Sequence, residues 1–279
     1  MADDLSAQQA ERMLAFERRR HDHLAETYHE HLTPLTAQVI PPIFEALRLA
    51  PGARLLDVAT GPGSLAAAAS RHGALAIGVD LSPRMIEVAA NAYPGIEFRV
   101  GEVEHLPFAD GTFDAVACNF GIGHFPRPEA ATAECVRTLK RGGRLALSWW
   151  QTVDKLGMQG VFRDAIAEVG ADMPADVPAA YSFFRFSDTA ELRRLLAGAG
   201  LTDITVMDVN TTYVLPDADA LWRTGTGSFA MIGSAIAHQD AAKQELIRAT
   251  LIHRAAAYQT PAGLSLPVGF KIASGRLAA

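Results

Sequence analysis

The chain has 279 residues, of which 49% are hydrophobic, and a formal net charge of −6 at pH 7. It is long enough to bury one large core, or a core and a lid, and its mild acidity without a basic cluster argues against a nucleic-acid partner. Because it has only two cysteines and we identify no membrane-length apolar run and no signal peptide, we expect a soluble cytoplasmic protein without a membrane partner.

The first part of the chain, residues 1–50, is predicted to form a helical cap. Between residues 6 and 31, apolar side chains recur at roughly helical spacing among Ala, Glu, Arg and His, which is typical of an amphipathic helix. Pro41 and Pro42 indicate that a fresh helix begins there.

Residues 51–150 alternate between strand and helix patterns, which predicts a parallel sheet with helices on both faces. The predicted strands cover residues 54–58, 74–80, 95–101, 113–119 and 144–150, and the helices between them cover 65–70, 83–92 and 128–139.

After residue 150 this alternation breaks, and we predict two insertions. The segments are a first lid insertion (151–187), a core helix and strand (188–216), a second helical lid insertion (217–262) and the last core strand with the tail (263–279). Glycines 225, 227 and 233 interrupt the second insertion, and we interpret them as a hinge. The predicted fold class is therefore α/β, a Rossmann-like and mostly parallel seven-stranded sheet with an N-terminal helical cap and C-terminal helical lid insertions.

The stretch from Leu55 to Ala66 is typical of a nucleotide-binding turn. A buried strand leads into Gly61-Pro62-Gly63 and at once into an Ala-rich helix. The glycines allow a sharp turn and a close approach to a ligand, and the N–H groups of the helix start point at the same place.

Two ligands compete for this turn. Gly61-x-Gly63-x-x-Ala66 matches the dinucleotide fingerprint, with Asp80 placed to bind a ribose. Asp57, however, would repel a pyrophosphate, whereas it would attract the sulfonium and ammonium of S-adenosylmethionine. The pattern thus favours the cationic cofactor.

These residues resemble motif I of the class I S-adenosylmethionine-dependent methyltransferases, with Ala59 where many members have a glycine. Gly101–Phe108 is similar to the family's segment after the third strand, with Glu102 in place of the usual Asp. Together with Leu139-Lys140-x-Gly142-Gly143-Arg144-Leu145, the resemblance covers residues 54–150 and is nearest to the ubiquinone and menaquinone biosynthesis subgroup.

The resemblance implies S-adenosyl-L-methionine as the cofactor, S-adenosyl-L-homocysteine as the product, and methylation of an O, N or C atom of a small metabolite. The predicted cofactor-binding residues are Tyr28 over the methionine end, Asp57, Ala59, Thr60, Gly61 and Gly63 in the turn, Asp80 at the ribose, Leu81, Met85, Glu102 and Val103 at the adenine, and Asn119 and Phe120 opposite the transferring methyl.

His124 is the predicted catalytic base, because it follows the fourth strand and an imidazole titrates near neutrality. The N-terminal helix carries four further histidines, but spacing fixes no acidic or cysteine partner for them, so we predict no metal. Aromatic side chains in and beside the lid segments have two explanations, an apolar or aromatic acceptor or a core of the lid itself. They are Trp149, Trp150, Phe183, Phe184, Phe186, Trp222 and Phe229.

Two other functions stay open on the sequence. One is a nicotinamide-dependent oxidoreductase, and the other is a catalytically silent S-adenosylmethionine-binding regulator. We expect a small-molecule acceptor as partner and a monomer or homodimer.

Overall fold

A computed structural model of the chain describes residues 5–172, 174 and 184–279. Its strands are β1 (Arg54–Val58), β2 (Leu75–Asp80), β3 (Glu97–Val100), β4 (Phe113–Asn119), β5 (Leu139–Trp150), β6 (Leu201–Leu215), β7 (Gln259–Thr260) and β8 (Gly263–Leu277). They form one sheet in the order β3-β2-β1-β4-β5-β8-β6, and the short β7 pairs with β8. β1 to β5 are parallel, and β8 is antiparallel to both β5 and β6. The predicted fold class is confirmed, and the sheet has eight strands rather than the predicted seven because the short β7 joins β8.

The helices are α1 (Ala7–Thr27), α2 (Thr33–Thr36), α3 (Ile40–Leu47), α4 (Ser64–Arg71), α5 (Pro83–Ala92), α6 (Pro128–Thr138), α7 (Gly157–Glu168), α8 (Thr189–Gly198), α9 (Ala218–Ser228), α10 (Ala230–Ala237) and α11 (Ala241–Ala255). Among the described residues, none of these helices is long and apolar enough to cross a membrane.

Several predicted boundaries differ from the structure by one or two residues, and two differ by more. β5 begins at Leu139 rather than at Arg144, because Leu139 already pairs with Phe113 before the register shifts. The N-terminal helix ends at Thr27 and continues as one π-helical turn, Tyr28–Leu32. Such turns are often found at functional sites.

The second insertion folds into α9, α10 and α11, and α9 packs against α1 and the π-helical turn. Ser228 Oγ donates a hydrogen bond to the main-chain oxygen of Thr27 at 3.1 Å. A Cβ on Gly225 would lie 2.0 Å from the Phe162 ring, and one on Gly233 would lie 2.4 Å from the main-chain oxygen of Thr226. Gly225 and Gly233 therefore allow close packing of the lid helices, and the interpretation of these glycines as a hinge stays a prediction. The division of the chain into the six segments above stays a prediction.

Candidate active site

The turn between β1 and α4 brings the backbone to the carboxyl edge of the sheet. Ala59, Gly61 and Gly63 have φ angles of 53°, 54° and 83°. For Ala59 this left-handed conformation costs about 1–2 kcal/mol. A Cβ on Gly61 would meet no atom within 4 Å, whereas one on Gly63 would lie 2.7 Å from the Phe98 ring. Gly61 thus leaves the backbone open towards a ligand, and Gly63 allows the turn to pack on the sheet.

Asp57 is 1% exposed, and its side chain faces the turn itself. Its Oδ2 accepts hydrogen bonds from Thr60 Oγ1 at 2.6 Å and from the Ala66 N–H at 3.0 Å. Its Oδ1 has no hydrogen-bond partner among the described residues. Asp57, Thr60 and Gly63 are not among the residues that line the cavity described below, and the contacts of Asp57 hold the turn in shape. Their assignment to the cofactor stays a prediction.

Asp80, at the end of β2, connects the turn to the next helix. One carboxylate oxygen accepts from the Gly61 N–H at 2.8 Å, and the other accepts from the Ser82 N–H at 2.9 Å. Burial raises the pKa of this carboxyl group. Because Asp80 also lines the cavity, a ligand there lies beside its carboxylate.

The N-terminal cap is fixed to this edge by side chains that the sequence reasoning missed. Asp22 on α1 accepts a hydrogen bond from Ser82 Oγ at 2.6 Å, and Ser82 Oγ accepts from the Met85 N–H at 3.0 Å as the N-cap of α5. An ion pair between Arg84 and Glu26 joins the same two helices. The cap therefore lies over the place where β2 ends.

A cavity of about 340 Å³ lies between this edge, the cap and the lid. Eleven of its lining residues were predicted as site residues, namely Tyr28, Ala59, Gly61, Asp80, Leu81, Met85, Glu102, Val103, Asn119, Phe120 and His124. The cap also contributes Leu14, Phe16, Glu17, His21 and Leu32, and the lid segments contribute Val153, Gln159, Arg163, Phe184 and Ser228 to Ile232.

The aromatic side chains of the lid segments divide into two groups. Trp150, Phe184 and Phe229 line the cavity. Trp222 stacks on Phe162 with ring centroids 6.2 Å apart, which places it in the core of the lid. Trp149 and Phe186 are buried outside the cavity lining, and Phe183 lies outside the described residues.

Tyr28 lies in the π-helical turn, and burial raises its pKa to about 12. A side-chain hydrogen bond with Thr36 acts in the opposite direction, and the residue lines the cavity.

Asn119 joins three elements at the end of β4. Its Nδ2 donates to the main-chain oxygen of Thr36 at 3.2 Å, and its Oδ1 accepts from Ser148 Oγ at 2.6 Å. The next residue, Phe120, has a φ of 59° and packs on Trp150 with ring centroids 4.4 Å apart. These contacts fix the loop after β4 against the cap.

His124 follows this loop and meets two side chains of α1. Its Nδ1 lies 3.2 Å from Glu17 Oε2, and His21 Nδ1 lies 3.3 Å from the same oxygen. Glu17 is 3% exposed. The spacing of Glu17 and His21 predicts that they share one face of α1. No local signal connects Glu17 with His124, so the sequence analysis did not predict their contact.

The cluster of Glu17, His21 and His124 also has the residue types of a metal site, since one ligand atom of each lies within 4.8 Å of the others. Spacing alone had given the histidines no acidic partner; the fold supplies Glu17. However, His21 Nδ1 lies 2.9 Å from the main-chain oxygen of Glu17, which requires an N–H on that nitrogen. We therefore describe the cluster as two imidazoles beside a buried carboxylate, with His21 hydrogen-bonded to the main chain of α1.

A family profile described as a methyltransferase domain matches residues 56–147. The demethylmenaquinone methyltransferase of Renibacterium salmoninarum is 31% identical over 176 residues, which are 60% of this chain and 74% of that protein. The chain belongs to the class I S-adenosylmethionine-dependent methyltransferases. This assignment does not support the oxidoreductase or the silent regulator that the sequence had left open.

Solved structures agree with this methyltransferase in fold. The YcgJ protein of Bacillus subtilis has a TM-score of 0.56 at 19% identity, over 87% of this chain and 99% of that one. Haemonchus contortus phosphoethanolamine N-methyltransferase 2, crystallised with phosphomonomethylethanolamine and S-adenosylhomocysteine, has a TM-score of 0.53 at 16% identity, over 87% of this chain and 53% of that one.

The residues present in this methyltransferase fit S-adenosylmethionine, its cofactor. The open face of Gly61 and the Asp80 carboxylate border one end of the cavity, where a ribose diol would find a charged acceptor. Leu81, Met85 and Val103 supply apolar surface for an adenine at the same end. The individual contacts stay predictions.

Burial raises the pKa of Asp57 to about 7, against about 3.9 in an unfolded chain. Between about pH 4 and 7 the Asp57 carboxyl group is ionised in the unfolded chain and protonated in the folded one. The free energy of unfolding of the ligand-free methyltransferase should therefore fall as the pH rises, by up to about 1.4 kcal/mol per pH unit. This contribution is complete below about pH 4 and lost above about pH 7. The D57N variant should lack it, which urea unfolding of both proteins at several pH values measures. The prediction would be contradicted if the free energy of unfolding changed with pH in the same way in the wild type and in D57N.

Proposed function

We propose that this methyltransferase methylates an O, N or C atom of a small, largely apolar or aromatic metabolite, with His124 as the general base. The observation that carries the proposal is one cavity that joins the cofactor motif to an apolar lid and contains His124. The expectation of a cytoplasmic monomer or homodimer stays a prediction.

The lining of the cavity supports an apolar acceptor. Besides the turn and the end of β2, it is formed largely by aromatic and aliphatic side chains, namely Leu14, Phe16, Leu32, Phe125, Trp150, Phe184, Phe229, Met231 and Ile232. Burying an apolar acceptor against this surface stabilises the complex by about 25 cal/mol per Å² of apolar area removed from water. The same enclosure excludes water from the reaction.

The position of His124 supports its role as a base. When bound, S-adenosylmethionine supplies a methyl carbon that its sulfonium activates. The acceptor needs to be aligned with that carbon and, where it is protonated, to lose a proton as its lone pair forms the new bond. His124 Nδ1 faces Glu17, so we assign the proton transfer to Nε2. Glu17 then orients the ring and stabilises the imidazolium.

The test is a transfer assay with methyl-labelled cofactor. The acceptor panel contains 2-naphthol, 2-aminonaphthalene and, as a hydrophilic counterpart, phosphoethanolamine. We expect label in the naphthalene products with matching formation of S-adenosylhomocysteine, and unchanged rates after treatment with a chelator. Transfer to phosphoethanolamine alone would contradict the acceptor class, and loss of activity that zinc restores would contradict the role of His124 as a base without a metal.

A further inference from the structure

We propose that Gln159 forms a polar subsite for the acceptor, in which its side-chain amide binds a neutral hydroxyl or carbonyl group. The inference deepens the proposed function and depends on it. It adds a second recognition point to the cavity, on the lid rather than on the sheet.

Gln159 lies on α7, lines the cavity and is 8% exposed. Both polar atoms of its amide are buried, and neither has a hydrogen-bond partner among the described residues. A buried polar group without a partner costs free energy, so natural proteins rarely keep one without a reason. A ligand group that pairs with this amide would supply the reason.

A second buried glutamine shows the contrast. Gln151 is 4% exposed, and its Nε2 donates to Asn210 Oδ1 at 3.2 Å and to the main-chain oxygen of Phe270 at 3.1 Å. It does not line the cavity. Gln151 thus satisfies its donor within the protein, whereas the buried amide of Gln159, a residue that lines the cavity, has no partner among the described residues.

The charges around the cavity favour a neutral partner for Gln159. Arg163 lies one helical turn further along α7 and also lines the cavity, but its Nε donates to Asp164 at 2.7 Å. In the acceptor region the lining contains Glu17 beside His124, whereas Asp80 and Glu102 belong to the predicted cofactor end. An anionic group would meet the Glu17 carboxylate with the nearby arginine already paired, so a hydroxyl or carbonyl suits the subsite better.

His124 and Gln159 therefore define two features of one acceptor. The first is the proton-bearing atom that is methylated, and the second is a neutral oxygen or nitrogen elsewhere on an apolar skeleton. An acceptor with only the first feature would leave the Gln159 amide buried and unpaired.

The test uses two probes of matched shape, 6-acetyl-2-naphthol and 6-isopropyl-2-naphthol, with 6-hydroxy-2-naphthoate as the anionic counterpart. Their dissociation constants are measured by naphthol fluorescence in the presence of S-adenosylhomocysteine. For the wild type we expect the acetyl probe to bind at least about tenfold more tightly than the isopropyl probe, and the anionic probe to bind more weakly than the acetyl probe. In Q159L the preference for the acetyl probe should disappear while the affinity for S-adenosylhomocysteine is kept.

Q151L is the matched control, because it makes the same change at a glutamine that is already paired. It should keep the acetyl preference and lower the thermal unfolding temperature, whereas Q159L should raise that of the ligand-free protein. If Q159L does not fold, Q159M replaces it.

An unchanged acetyl preference in Q159L, or no preference in the wild type, would overturn the role of Gln159 and leave the proposed function standing. If the wild type binds S-adenosylhomocysteine but none of the naphthols, the apolar acceptor class fails, and the subsite is rejected with it.

Discussion

The H124Q variant is expected to transfer methyl groups about 10²–10⁴-fold more slowly than the wild type, because glutamine fills a similar volume but cannot take a proton. His124 lines the cavity beside Glu17. The substitution leaves the turn after β1 and the Asp80 side chain unchanged, so the dissociation constant of S-adenosylhomocysteine should stay within about threefold. Single-turnover rates and equilibrium binding measure the two quantities separately. A rate close to that of the wild type would show that the acceptor needs no base or finds another.

The role of Glu17 is tested with E17Q and the double variant. Glutamine keeps an acceptor for His124 Nδ1 but removes the charge, so E17Q should lower kcat by about tenfold and leave KM nearly unchanged. Because Glu17 is proposed to act through His124, the E17Q/H124Q variant should be no slower than H124Q. If the two losses multiply, Glu17 contributes independently of His124.

The second large effect is expected at Asp80. The D80A variant should bind S-adenosylhomocysteine at least about tenfold more weakly, because charge-assisted hydrogen bonds contribute about 1.5–3 kcal/mol each. The structure adds a second cause, since this carboxylate also accepts from the N–H groups of Gly61 and Ser82.

A ligand change separates the two causes at Asp80. The wild type should prefer S-adenosylhomocysteine to its 2′,3′-dideoxy analogue, and D80A should lose most of that preference if the carboxylate binds the ribose. If D80A weakens both ligands equally, Asp80 acts by holding the turn. D80N, which keeps a side-chain acceptor without the charge, should fall between the wild type and D80A.

The sequence by itself determined the sheet and the cofactor class. The pattern of short apolar runs and helices located β1 to β5, and the bounds of β4 and α5 were predicted without error. The Gly61-x-Gly63 turn and Asp80 are local signals, because a strand end, a glycine turn and a helix start are neighbours in the chain. Conformations that depend on neighbouring residues can be predicted from the spacing of residue types along the chain.

Only the tertiary structure decided which side chains meet. Asp57 was expected beside the cofactor from its spacing, but its hydrogen bonds from Thr60 and Ala66 appear only once the turn is folded. Glu17 and His124 are far apart in the sequence, and they come together because α1 packs on α5 and α9. The unpaired amide of Gln159 is also a property of packing. Hydrogen bonds and burial between distant segments depend on how those segments pack, and no spacing along the chain encodes that arrangement.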